Sequence, residues 1–451
     1  MLILKIILGL IGLGIVVLVH ELGHFLAARL VGIDVEAFSI GWGKPIFKKK
    51  IGAVEYRIGI FPLGGYCKMR GENEFQEAFD ANRNHIEPTP GSFFGVKPWR
   101  RIVTAFAGPF FNLLFAGIAL SVIWGVGFEV NTMENRIVLA SDLNPAEHYP
   151  ADDAGLKSGD RIIEINGASI ATFGDIQESI AIHPQQDLRL MVERDGAARE
   201  LTVTPSLDKE TGAGKIGVYY WAEPVISETE KDGAAERAGL RSGDRLLKIN
   251  DKDVKYSIAL IPILQEKPKI LSIEFERGHE TLRTDLAPLY TDSGVDIGMR
   301  FQSLQYRTPR LSPFAALVKG GQEMWKTLAV SVKSLALLFK GVDLTKAVSG
   351  PVRITYMLGD AATAGFTESF GDGVRNMANF LCLISVALCI MNLLPLPILD
   401  GGLILLFLVE IVKGGPVHPK AIAVFQTIGV VLICGLMLFT VFGDVLYLIR
   451  S

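Results

Sequence analysis

Hydrophobic residues along this 451-residue chain gather in four long runs separated by stretches of ordinary polarity. Leu2 to Val19 is apolar apart from Lys5, and Ile102 to Val126 follows Arg100 and Arg101. Phe380 to about Leu399 and Ala421 to about Leu448 complete the set. Each approaches or exceeds the roughly 20 apolar residues that cross a hydrocarbon core, so four transmembrane helices are expected. Lys5 also permits a signal-peptide reading, with a charged start before an apolar centre. However, the run leads straight into His20, Glu21 and His24 with no small-residue cleavage site, which favours an uncleaved anchor.

Between the second and third runs, about Asn131 to Tyr306, the pattern changes to short alternating segments rich in turns. The run Ala154-Gly155-Leu156-Lys157-Ser158-Gly159-Asp160-Arg161 returns as Ala238-Gly239-Leu240-Arg241-Ser242-Gly243-Asp244-Arg245. Each copy continues through an alternating strand to Asn166 or Asn250, so two copies of one small β-rich domain are expected. Pro313 to Lys340 then reads as an amphipathic helix, with Trp325, Leu328, Val332, Leu335 and Phe339 at helical spacing. Its lysines Lys319, Lys326, Lys333 and Lys340 drift only about 20° per heptad. That stripe suits a membrane interface or, equally, the solvated face of a packed helix.

Charge sets the orientation. Lys44, Lys48, Lys49, Lys50, Lys97, Arg100 and Arg101 lie between the first two spans, and Lys413 and Lys420 between the last two. Both loops are expected in the cytoplasm by the positive-inside rule, with the repeats and both termini on the outer side. Hydrophobic residues make up 49% and charged residues 21%, which fits apolar spans plus polar domains. The formal net charge of -3 excludes nucleic acid as a default partner. The four cysteines contain no C-x-x-C, and none lies between Lys68 and Leu381, so neither a disulfide framework nor a thiolate zinc site is indicated.

The sharpest chemical signal is His20-Glu21-Leu22-Gly23-His24. On a helix the two histidines share a face, about 6 Å apart along the axis, and can hold one Zn²⁺. Glu21 then lies beside the bound water and can take its proton. A catalytic zinc needs a third protein ligand. His85, His148, His183, His279 and His418 lie in polar loops or in the exported region, which makes them poor candidates. Asp400 closes Asn392-Leu393-Leu394-Pro395-Leu396-Pro397-Ile398-Leu399-Asp400-Gly401-Gly402, where two prolines interrupt an apolar span. Irregular backbone at membrane depth is tolerated only where protein or a watery cavity satisfies it. Asp400 therefore reads as a ligand facing a cavity; the alternative is a helix N-cap for Gly401–Val412.

These two motifs match the signatures of the site-2 protease family of intramembrane zinc metalloproteases, and the repeats resemble the tandem PDZ domains of its bacterial RseP branch, the regulators of sigma-E. The resemblance implies His20, His24 and Asp400 as zinc ligands and Glu21 as the catalytic base. It also implies that Asn392 lies near the scissile peptide. Gly108-Pro109-Phe110-Phe111-Asn112 resembles the family's G-P-x-x-N element, which makes Asn112 a further candidate for substrate binding. Val54 to Met69 alternates Val54, Tyr56, Ile58 and Ile60 against Glu55, Arg57, Gly59 and Phe61, then turns through Pro62-Leu63-Gly64-Gly65. This is similar to the family's membrane-associated β-hairpin, whose edge can hold an unwound substrate extended; the alternative is a small cytoplasmic hairpin.

The resulting expectation is a polytopic α-helical membrane protein with four transmembrane helices, a membrane-associated β-hairpin and two inserted β-rich PDZ-like domains. Its segments are 1–30 (first helix), 31–100 (loop with the hairpin), 101–128 (second helix), 131–221 and 222–308 (PDZ-like domains), and 310–378 (amphipathic region). The third helix at 379–400, a cytoplasmic connection at 401–420 and a fourth helix at 421–449 follow. By resemblance, the expected location is the bacterial inner membrane, with periplasmic repeats and an active site near the cytoplasmic side. Substrates would be single-span membrane proteins, an anti-sigma factor after a first cut and remnant signal peptides, met in the lipid bilayer. Two rival classes remain. A non-enzymatic PDZ scaffold is disfavoured by intact Glu21 and Asp400. A transporter is disfavoured by the lack of repeated spans and of further charged residues within them.

Overall fold

The computed structural model describes every residue except 1, 88, 210, 292–293, 338–349, 369 and 451. The chain divides into two units: Met1–Gly127 with Pro309–Ala336 and Leu344–Ser451, and Phe128–Thr308 with Leu337–Asp343. The first unit opens with α1 (Leu2–Leu30), β1 (Val35–Ile51), β2 (Val54–Met69), α2 (Glu72–Asp80) and α3 (Pro98–Val126).

The second unit starts on β3 (Glu129–Thr132). Its first repeat is β4 (Arg161–Ile165), β5 (Ala168–Ser169), α4 (Phe173–Ala181), β6 (Leu188–Arg194) and β7 (Ala197–Val203). The second repeat is β8 (Arg245–Ile249), β9 (Lys252–Asp253), α5 (Leu260–Gln265), β10 (Leu271–Arg277) and β11 (Glu280–Leu286). Their antiparallel sheets share one strand order, β5-β4-β6-β7 and β9-β8-β10-β11. In both, the alternation seen in the sequence buries one face, with Ile162 and Ile165 matched by Leu246 and Ile249. The repeated Ser-Gly-Asp places Asp160 and Asp244 in the interior, 2.7 Å from Arg194 and Arg277 at the ends of β6 and β10. β12 (Leu304–Arg307) pairs with β3, and the backbone amide of Thr308 donates to the carbonyl of Phe128, so this unit leaves the chain where it entered.

The first unit closes with α6 (Pro313–Leu337), α7 (Pro351–Glu368), α8 (Phe370–Leu393), α9 (Asp400–Lys413) and α10 (Pro419–Arg450). Among the described residues, four helices are long and apolar enough to cross a membrane: Leu4–Leu30, Pro98–Val126, Phe370–Leu393 and Pro419–Asp444. The third starts at Phe370 rather than near Phe380 and stops before Pro395 and Pro397, which cannot donate to a helical ladder. The expected connection at 401–420 begins instead as α9, packed on α3 through the buried pair of Arg101 and Glu410. The expected apolar stripe on α6 also differs. Ala316, Gly320, Met324 and Leu328 lie against α3, with Gly320 backed onto Ser121, whereas Trp325 and Val332 are exposed. Phe339 and Lys340 lie outside the described residues.

Charges within this unit are more numerous than the sequence suggested, and they are paired. Lys5 donates to Asp360 on α7 and lies over the Tyr356 ring. Arg101, counted above as a loop charge, is consumed by Glu410 at 2.6 Å. Asp444, fully buried on α10, accepts from the backbone amides of Gly350, Val352 and Arg353 at 2.9–3.1 Å and so caps the start of α7. The first amides of an α-helix have no acceptor within their own helix. Asp444→Ala should therefore cost about 1–2 kcal/mol, read as a lower melting temperature of the purified protein in detergent. An unchanged transition would remove this cap from the account of stability.

Candidate metal centre

One turn of α1 separates His20 from His24, and both rings face α3. Their Nε2 atoms are 3.1 Å apart. Asp400, the first residue of α9, places Oδ2 3.2 Å from His20 Nε2 and Oδ1 3.4 Å from His24 Nε2. The three ligand atoms all lie within 4.8 Å of one another, and the side chains are 11–13% exposed. The N-cap of α9 is Leu399, with no side-chain cap bond, so Asp400 turns to the histidines rather than to its own helix.

This arrangement fits a zinc ion. Two Zn–N bonds of about 2.0–2.1 Å at a tetrahedral angle hold their nitrogens about 3.3 Å apart, close to the three separations found here. His24 Nδ1 lies 2.8 Å from the carbonyl of Thr104, which can only accept, so the proton sits on Nδ1 and Nε2 presents a lone pair. Asp400 Oδ2 is buried and has no hydrogen-bond partner. A lone pair and an orphaned carboxylate oxygen at such distances call for a cation between them.

Local backbone devices bring the groups together. Between α8 and α9 the chain leaves the helical ladder, and Ile398 adopts φ 76°, a left-handed conformation that costs a β-branched residue of order 1–3 kcal/mol. Gly401 and Gly402 let this break fold back on α9: a Cβ would lie 2.3 Å from the Leu393 carbonyl oxygen in one case and 2.1 Å from that of Leu396 in the other. Gly23 brings α1 against the carbonyl of Ala107, where a Cβ would sit at 2.4 Å. Gly108 leaves room for both imidazoles, since a Cβ there would meet His24 Nε2 at 2.3 Å and His20 Cε1 at 2.9 Å.

The site opens into a cavity of about 750 Å³ lined by Glu21, Asn392 and the metal-site residues. The hairpin reaches it differently from the sequence expectation. Both strands bend, so Ala37–Ile40 is flanked by residues 55–58 on one side and by 65–68 on the other. Tyr56 packs with Phe25 and Phe38, and Ile58 and Ile60 are about half exposed. None of the three lines the cavity; Gly65, Tyr66, Cys67 and Met69 do. Burial, with Glu21 nearby, pushes the Cys67 thiol up to about 12. Asn112 is fully buried behind His20, with Nδ2 3.2 Å from His20 Nδ1, and it does not line the cavity. Thr104 and Gly108 were not singled out from the sequence. Gly108 opens the same G-P-x-x-N run that ends in Asn112, and its spacing was the available signal.

The model for peptidase family M50 matches residues 8–436. The chain belongs to this family, the site-2 proteases. It is 38% identical over 448 residues to a Treponema pallidum protein provisionally named a zinc metalloprotease, covering 99% of each chain. It is 31% identical to the regulator of sigma-E protease RseP of Salmonella typhimurium and 30% identical to that of Escherichia coli, with 96% of each chain covered in both cases. A crystal structure of the PDZ domain of a Listeria monocytogenes SdrC-like protein aligns with 19% of this chain and 93% of its own, at 21% identity and a TM-score of 0.16. At that score the likeness carries no argument. As a member of the family, the protein is an intramembrane zinc metalloprotease. Gly108→Ala should displace both rings and lower bound zinc well below one equivalent. Elemental analysis of the purified, folded variant is the measurement, and full occupancy would show that the rings have space to spare.

Proposed function

We propose that this protease hydrolyses peptide bonds within or beside the membrane segments of single-span proteins, with His20, His24 and Asp400 holding zinc. The observation that carries the reading is the convergence of three ligand atoms beside Glu21 in a cavity of the helical unit. When bound, zinc supplies Lewis acidity, bringing the pKa of a water toward about 7. Glu21 takes the proton of the attacking water and passes it to the leaving amine. Asn392, one residue before the end of α8, offers its amide to the substrate backbone. A transmembrane helix hides its carbonyls in its own ladder. Gly65–Met69, at the cavity margin, is the strand segment against which an unwound substrate lies extended.

The proposed setting is the inner membrane of a bacterium, with the active site near the cytoplasmic face and the two repeats, read as PDZ-like modules, in the periplasm. Eleven Lys and Arg residues between the first two spans support that orientation, ten once Arg101 is set aside with Glu410. The names of the Salmonella and Escherichia relatives support an anti-sigma factor as one substrate class. Remnant signal peptides are a second class, and the repeats act as a sieve that refuses bulky outer domains.

Glu21→Gln should keep one zinc and lower cleavage of a model single-span substrate by about 10²–10⁴-fold; substantial residual cleavage would sink the role given to Glu21. Because a backbone hydrogen bond joins Thr308 to Phe128, the second unit can be replaced by a short linker. The shortened protease should cut substrates that still carry a folded outer domain. Loss of cleavage of trimmed substrates alone, with zinc retained, would indicate capture rather than sieving.

A further inference from the structure

The two imidazoles are held differently from behind, and the difference assigns a task to Asn112. His24 Nδ1 faces the Thr104 carbonyl, an obligate acceptor, which leaves Nε2 free for a metal. His20 Nδ1 faces instead the side-chain amide of Asn112 on α3 at 3.2 Å. Asn112 is 0% exposed and lies one turn beyond Gly108, whose missing Cβ makes room for both rings. Its backbone is pinned from α8, where the buried hydroxyl of Ser385 donates to the Asn112 carbonyl at 2.9 Å. Its own Oδ1 has no hydrogen-bond partner.

Only one amide orientation is compatible with metal binding. If Nδ2–H donates to His20 Nδ1, the ring proton must sit on Nε2, where it points at Asp400 and at the second imidazole. Turning the amide over about its Cβ–Cγ bond puts Oδ1 on the Nδ1 proton. That gives the orphaned oxygen its partner and frees the Nε2 lone pair.

We propose that Asn112 is a positioning residue that holds His20 in its Nδ1–H tautomer through Oδ1 and so sets the zinc affinity of the site. This rests on the reading of His20, His24 and Asp400 as zinc ligands. Asn112 does not touch substrate; it acts through His20, as a carbonyl acts through His24. Outer partners of this kind typically change metal affinity by about 10–100-fold.

The test compares zinc affinity in the full-length protein in detergent, by competition with a chromogenic chelator, for wild type, Asn112→Leu and Asn112→Asp. The melting temperature of each metal-free protein is measured alongside. Leucine keeps the shape and removes the acceptor; aspartate keeps the acceptor and adds a charge. A positioning role predicts about 10–100-fold weaker zinc binding for the leucine variant and near wild-type affinity for the aspartate variant. A packing role predicts the reverse order, because leucine fills the space and a buried carboxylate does not tolerate it. Equal affinity in wild type and a folded Asn112→Leu overturns the inference alone. Wild-type protein that binds no zinc overturns it together with the ligand assignment.

Discussion

Two imidazoles and a carboxylate lie 3.1–3.4 Å apart inside a largely apolar helical unit, a grouping that a cation between them would stabilise. Much of the surrounding architecture serves that grouping. His20 and His24 ride on one turn of α1, and Asp400 arrives from about 375 positions later in the chain at the start of α9. A continuous helix through residues 393–400 would not turn the carboxylate back toward α1. The break, with its two prolines and left-handed Ile398, is strain placed where the ligand geometry needs it.

Glycine provides the other half of the solution. Gly23, Gly108, Gly401 and Gly402 each stand where a Cβ would fall within 2.5 Å of a neighbouring atom, either backbone carbonyl oxygen or imidazole nitrogen. Close approach of backbones places polar carbonyls within reach of side chains, as Thr104 is within reach of His24. The same principle governs α7, where Gly9 and Gly359 admit backbone contact between α1 and α7 and Asp444 supplies the missing cap. Charged groups in this unit are thus held by specific partners, with Glu410 and Arg101 joining the helix that carries Asp400 to the helix that carries Asn112.

The repeats solve a comparable problem with a different partner. Asp160 and Asp244 are buried beside left-handed glycines and are matched to Arg194 and Arg277, so each sheet is tied to the turn that begins it. A buried carboxylate without its guanidinium would be strongly destabilising, which explains why the Ser-Gly-Asp element and the distant arginine occur in both copies.

The four apolar spans, the repeat, and the spacing that sets His20 and His24 on one helical face were legible in the sequence, because each depends on a pattern over consecutive residues. The proline-broken run before Asp400 was legible for the same reason: missing amide donors are a local property. Tertiary structure decided the rest. Which part of β2 meets the cavity depends on bends at the positive-φ glycines Gly41, Gly43 and Gly64, which set Gly65–Met69 rather than Ile58 and Ile60 at the cavity. The buried face of α6 depends on the small residues α3 presents to it, and hydrophobicity alone ranked Trp325 above Gly320. Asn112 reads as one amide in a span until α1 packs against α3 and sets it behind His20. Such assignments rest on distances between residues far apart in the chain, which local propensity does not encode.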